Sequence, residues 1–277
     1  MMEFRSVAVI GVGLIGGSIA RAFSACGVRV LGHDRDLASL GAAVSAGIIQ
    51  GELGNDLEGI EGADLIVVAL PADAAVEIIP RLAQLAKRAT LLTDVGSTKR
   101  LIVRAAEAAG LGPQFVGSHP LAGDHRSGWT ASRADMFQDA PVFLCPAPSA
   151  QRETVRRAEE LWTSLGATPV VIDASEHDAR MAWVSHMPHF LSTALALTLR
   201  DAGVSRSSLG PGGRDLTRLA GGSPEMWAAI AQENAPEIAA AISGFKAQLE
   251  KIEAALLAQD QRLLKQSLVT GREWFST

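Results

Sequence analysis

The chain has 277 residues, 48% apolar and 20% charged, with 25 Lys and Arg set against 30 Asp and Glu for a net charge of −5. That balance excludes a disordered or fibrous chain and leaves apolar surface for one large or two medium cores. The acidic charge argues against a nucleic-acid or anionic-membrane binder, which needs a basic field, and the two cysteines, Cys26 and Cys145, exclude a disulfide scaffold or a cysteine-rich zinc site.

Val7–Ile10 is an apolar run ending at a glycine cluster, followed by a helical pattern over Ile15–Ser24 and a second strand at Val28–Leu31. The apolar stretch after Arg5 has the outline of a secretory leader. Gly11, Gly13, Gly16 and Gly17 inside it fit a strand–turn–helix instead, and a reducing cytoplasm is the expected compartment. Ala38–Ala46 is helical, Leu65–Leu70 is a fully apolar strand and Ala74–Ala86 is an amphipathic helix. Strands at Thr90–Thr93 and Gln114–Val116 flank the helix Lys99–Ala109. Further strands at Pro141–Leu144 and Thr168–Ile172 flank the helix Ser149–Leu165, for which Ser149 is the expected cap. Short apolar strands alternating with helices predict a doubly wound parallel sheet of the Rossmann type.

From about Glu176 the pattern turns helical, over Ala179–Asp201, Pro224–Leu257 and Asp260–Trp274, with a loop expected at Gly203–Gly213. The expected organisation is a dinucleotide-binding domain over 1–173 and an all-helical domain over 174–277. A helical domain of that size often cannot hide its apolar faces alone, so a homodimer through it is expected. No apolar stretch reaches the roughly 20 residues of a membrane span.

Gly11-Val12-Gly13-Leu14-Ile15-Gly16 lies between the first strand and helix. Gly11 permits the tight turn, Gly13 lets the backbone approach a pyrophosphate, and Gly16 lets helix pack on strand. Asp34, at the end of the second strand, is placed to accept hydrogen bonds from an adenosine ribose. Its charge favours NAD over NADP. Arg35 beside it either stacks on adenine or accommodates a 2′-phosphate, which leaves NADP open. Ser97, in Asp94-Val95-Gly96-Ser97-Thr98-Lys99, and His119, in Gly117-Ser118-His119-Pro120, fall at neighbouring strand ends on the carboxyl edge of the sheet. A serine and a histidine beside a nicotinamide suit proton abstraction from an alcohol.

The glycine fingerprint, Asp94–Lys99 and Gly117–Gly123 are joined by Ser185-His186-Met187-Pro188-His189, Asp215-Leu216-Thr217-Arg218 and Pro224-Glu225-Met226-Trp227. With these motifs in this order, the chain resembles the prephenate/arogenate dehydrogenase family of tyrosine biosynthesis. The resemblance implies an NAD-dependent oxidative decarboxylation in which His119 draws off the proton of the ring C4 hydroxyl, and in which aromatisation makes the step essentially irreversible, so that no strong base or metal is needed. Ser97 assists that hydroxyl and holds the imidazole in register, while Arg218 binds a substrate carboxylate and His189 is a second pocket histidine. His186 is either a ligand to water or a core residue, and Trp227 either lines the pocket or belongs to the core. Where many relatives have Thr-Glu after the glycine, this chain has Asp124-His125-Arg126. Asp124 would favour the ammonium of arogenate, and His125 and Arg126 the keto acid of prephenate, so the small-molecule substrate stays open between the two. The chain contains no tyrosine, through compositional drift or through economy in an enzyme that makes it. The alternatives are a 3-hydroxyacid dehydrogenase, which usually relies on a catalytic lysine in the helical domain, where Lys246, Lys251 and Lys265 sit in ordinary amphipathic patterns, and a non-catalytic NAD-binding sensor, for which Ser97 and His119 together would have no purpose.

Overall fold

A computed structural model describes residues 4–86, 89–124, 126 and 128–276, so His125 lies outside the described residues. The first half folds as alternating strands and helices: β1 (Ser6–Ile10), α1 (Leu14–Ala25), β2 (Arg29–His33), α2 (Leu37–Ser45), β3 (Gly51–Glu52), β4 (Leu65–Val68), α3 (Ala72–Leu85), β5 (Leu91–Asp94) and α4 (Arg100–Ala108). The five strands form a parallel sheet in the order β3-β2-β1-β4-β5. Along β1, Val7 and Val9 join one apolar cluster while Ala8 and Ile10 join another on the opposite face. Burial on both faces is why the strand reads as an unbroken apolar run rather than an alternating one.

A single parallel bridge, Leu92 to Phe115, leads from β5 to a second sheet of β6 (Val116–Pro120), β7 (Pro141–Pro146) and β8 (Thr168–Val171). Here β7 runs antiparallel to β6 and parallel to β8, so β7 and β8 both run against β6 where the sequence predicts a wholly parallel arrangement. Strand β6 also starts later than Gln114 and extends to Pro120, because Gly112–Gln114 forms a 3-10 turn. His119 therefore sits within a strand, and its neighbour Ser118 is fixed by hydrogen bonds to Thr93 (2.8 Å) and Trp162 (2.9 Å).

Helix α5 (Arg152–Ser164) begins three residues after Ser149, and no side chain caps it. The Ser149 hydroxyl and N–H instead bind Glu107 near the end of α4. Beyond β8 come α6 (Ala174–Met181), a π-helical turn (Ala182–His186), α7 (Met187–Asp201), α8 (Pro211–Leu216), α9 (Pro224–Glu233), α10 (Ala235–Leu257) and α11 (Gln261–Phe275). Part of the expected loop is thus helical, since Pro211 supplies a favourable first helical position. The long run from Pro224 breaks at Asn234, because Pro236 has no N–H for the carbonyl four residues back and is tolerated only in the first turn of a new helix.

The chain groups into two compact units, Met1–Met181 with Gly222–Asn234, and Ala182–Gly221 with Ala235–Thr277. Helix α9 belongs to the first, where Glu233 accepts a hydrogen bond from Thr98 and Asn234 Nδ2 donates to the Asp178 carbonyl (2.8 Å). Among the described residues, no helix is long and apolar enough to cross a membrane.

Candidate active site

The turn from β1 into α1 is built around Gly11. Its φ of 97° is in the left-handed region, and a Cβ there would collide with the Ala69 carbonyl oxygen. The Gly11 N–H donates to His33 O (2.8 Å), which ties the turn to the end of β2. Helix α1 starts at Leu14 with Gly13 as its N-cap and no side chain capping it, so Leu14, Ile15 and Gly16 present the positive helix end. A Cβ on Gly13 would meet nothing within 4 Å. An open cradle beside uncapped N–H groups fits a pyrophosphate. Asp34 accepts the N–H groups of Val12 (2.6 Å) and Asp36 (2.9 Å), fixing its carboxylate beside the same turn, and Arg35 is exposed. The residues expected to hold a dinucleotide therefore converge on one edge of the sheet.

The second group lies at β5 and β6. Ser97 is half-buried in the turn between β5 and α4. His119, also half-buried, places Nδ1 2.9 Å from His177 Nε2, and His177 places Nδ1 2.8 Å from Asp178 Oδ1. The Asp178 carboxylate also accepts the N–H groups of Lys99 (2.8 Å) and Arg100 (2.9 Å) at the start of α4. These contacts fix the tautomers. A carboxylate only accepts, so His177 donates from Nδ1 and accepts at Nε2; His119 then donates from Nδ1 and carries its lone pair on Nε2.

Burial holds the His177 imidazole below its ordinary pKa against the pull of Asp178, which keeps it neutral and able to accept. Burial pushes the Asp178 carboxyl up. The hydrogen bond from His177 and the N–H groups of Arg100 and Lys99 outweigh that push and hold it below the usual carboxylate range. Orientation of the His119 imidazole at Nδ1, the task expected of Ser97, thus comes from His177. Sequence reading missed His177 and Asp178. Their signal was an adjacent His-Asp pair shortly after the last strand.

The remaining residues are spread over both units. Asp124 is tied to Arg126, accepting its Nε (3.1 Å), Nη2 (2.8 Å) and backbone N–H (3.0 Å), so its charge is matched within its own loop. Trp227 is half-buried on α9 in the first unit. In the second unit His186 and His189 are buried, His186 at the end of the π-helical turn and His189 on α7. Arg218 opens a 3-10 turn (Arg218–Gly221) and lines a cavity of about 860 Å³ together with Arg200, Arg206 and Thr217. The turn is held by the Ala220 N–H, which donates to Ser192 Oγ (3.0 Å).

Comparison with known proteins agrees with this architecture. The family model for the prephenate dehydrogenase nucleotide-binding domain matches residues 19–171, and that for the prephenate dehydrogenase dimerization domain matches residues 173–270. Prephenate dehydrogenase of Bacillus subtilis is 30% identical over 97% of this chain and 75% of its own length. Cyclohexadienyl dehydrogenase of Zymomonas mobilis is 30% identical over 94% of this chain and 91% of its own. The crystal structure of prephenate dehydrogenase from A. aeolicus in complex with hydroxyphenyl propionate and NAD+ superposes with a TM-score of 0.91 at 28% identity, covering 98% of this chain and 97% of that one.

Proposed function

The chain belongs to the prephenate dehydrogenase family of NAD(P)-dependent oxidoreductases, and from that premise we propose that it oxidises prephenate, arogenate or both at ring C4, with NAD as cofactor and loss of the C1 carboxylate as CO2. The observation that carries the reading is the relay from Asp178 through His177 to His119, which leaves Nε2 of His119 as the basic nitrogen.

Gly11, Gly13, the start of α1 and Asp34 would hold the dinucleotide, which supplies a hydride acceptor when bound. The other steps fall to side chains. His119 Nε2 accepts the hydrogen bond of the C4 hydroxyl and draws its proton as that carbon takes on carbonyl character. As the C1 carboxylate leaves, its bonding pair aromatises the ring, and His119 returns the proton to the phenol oxygen. Proton count and charge then balance without an external acid. Ser97 gives the same oxygen a second polar contact. His177 stays neutral and keeps His119 facing the right way throughout.

Arg218 binds a substrate carboxylate, a task suited to a planar bidentate donor. Arg218→Ala therefore raises KM about 10- to 150-fold, the equivalent of a charge-assisted hydrogen bond of about 1.5–3 kcal/mol, with a modest loss of kcat. Steady-state kinetics check this, and an unchanged KM would remove Arg218 from the pocket.

The proposed assembly is a homodimer through the helical unit, which exposes Leu249, Leu256, Leu257, Leu268, Trp274 and Phe275. Light scattering is expected to give twice the 29.0 kDa of the chain; the mass of a single chain would contradict it. The activity itself is tested by following nicotinamide reduction with NAD or NADP against prephenate, arogenate and 3-hydroxyisobutyrate. Turnover of either cyclohexadiene, faster with NAD as Asp34 requires, supports the reading. Turnover of 3-hydroxyisobutyrate alone, or of none, overturns it.

A further inference from the structure

Asp94 ends β5 and Lys99 precedes α4, and their side chains meet in an ion pair, Lys99 Nζ to Asp94 Oδ2, at 0% and 1% exposure. Asp94 Oδ2 also accepts the Gly96 N–H (2.8 Å), while its buried Oδ1 has no hydrogen-bond partner among the described residues. The pair packs against β6, where a Cβ on Gly117 would lie 3.1 Å from Asp94 Oδ1 and 3.2 Å from Lys99 Cδ. Stability alone is a poor reason to bury two charges, since an apolar pair of similar volume usually serves as well or better.

The connections of the pair offer another reason. It closes the turn on which Ser97 sits, and the backbone N–H of Lys99 itself binds Asp178, the carboxylate that orients His177 and through it His119. We propose that the buried Lys99–Asp94 pair is a positioning device that sets Ser97 and His119 in common register, by closing the Ser97 turn and fixing the start of α4 against Asp178. The proposal rests on the reading of His119 as the base. Lys99 acts through Ser97 and Asp178 and is a positioning residue.

The pair also sets the charge around the relay. His177 faces Asp178 on its own helix, His119 on β6, Asp94 on β5 and Lys99 at the start of α4. Arg180 stacks over Phe143 beside it, and Glu233 of α9 is hydrogen-bonded to Thr98. Lys99 opposes protonation of His177, whereas Asp94 and Asp178 favour it. Removing Lys99 alone leaves Asp94 buried without its partner, and burial then drives that carboxyl to take up a proton and give up its hold on the turn. Removing Lys99 and Asp94 together leaves the local charge balance nearly unchanged.

Two variants of the full chain separate positioning from filling. Asp94→Leu combined with Lys99→Met refills the space with apolar groups. It is expected to fold and to lose about 100-fold in kcat, the cost of a misplacement near 1 Å. Its KM for the cyclohexadiene should stay within about threefold, and its imidazole titration, followed by NMR, should stay near that of the unmodified chain. Lys99→Met alone, which leaves the buried carboxyl unpaired, is expected to lose at least as much kcat as the double variant and to melt at a lower temperature. Full kcat in the double variant, or in a folded single variant, would overturn the proposal. If Lys99→Met does not fold, the kcat of the double variant decides. If the unmodified chain oxidises neither cyclohexadiene, the functional reading fails, and the imidazole titration still tests the charge role of the pair.

Discussion

Replacing His119 with alanine is expected to lower kcat about 1,000-fold while KM for the cyclohexadiene changes little, in line with the roughly 10²–10⁴ that a positioned general base contributes. The expectation follows from the tautomer. Nδ1 of His119 is committed to His177, so its basic nitrogen is Nε2, and no neighbouring group on β6 can replace it: Ser118 is buried and bound to Thr93 and Trp162, and Pro120 has no ionisable side chain. The acid limb of the kcat profile, expected of the unmodified enzyme because a protonated imidazole cannot accept the hydroxyl proton, should disappear in the variant. A large rise in KM with kcat preserved would make His119 a binding group instead of a base.

Asp178→Asn is the second large effect, an expected loss of about 100-fold or more in kcat from a residue proposed to touch no reactant. Asp178 receives three hydrogen bonds, from His177 Nδ1 and from the N–H groups of Lys99 and Arg100. Oδ1 takes His177 Nδ1 and the Lys99 N–H and Oδ2 takes the Arg100 N–H, so the NH2 of an asparagine faces two of those donors in one orientation and one in the other. If the NH2 turns toward His177, that ring must accept at Nδ1 and donate from Nε2. His119 must then accept at Nδ1 and hold its proton on Nε2, which leaves it unable to take one from the substrate. If the NH2 turns toward α4, the start of that helix loses a charged partner, at about 1 kcal/mol of stability. Single-turnover rates and a melting curve on the same variant distinguish the two, and unchanged kcat with unchanged stability would show that the relay does not set the tautomer.

The Rossmann-type half was legible because its signals are local. Val7–Ile10, Leu65–Leu70 and the glycine turn each carry strand or turn chemistry within a few residues, and the structure places them close to where the sequence does. The reversal of β7 was not legible, since Pro141–Pro146 is apolar whichever way it runs and its direction is set by pairing with β6. Ser149 illustrates the same limit: a serine ahead of a helix reads as a cap, yet Glu107, 42 residues earlier in the chain, binds it first. At the site, Ser97 and His119 were visible from their positions at strand ends. The residues that orient His119 were not, because His177 meets it across 58 positions of sequence and the carboxylate of Asp178 is tied to α4 across 78 or 79.

The most direct test is a crystal structure of the protein with NAD and a phenol analogue of the product. The phenol oxygen should lie within about 3.2 Å of His119 Nε2, with Nδ1 still bonded to His177. A phenol oxygen bound elsewhere, or a His119 ring turned so that Nδ1 faces the ligand, would contradict the assignment of the base.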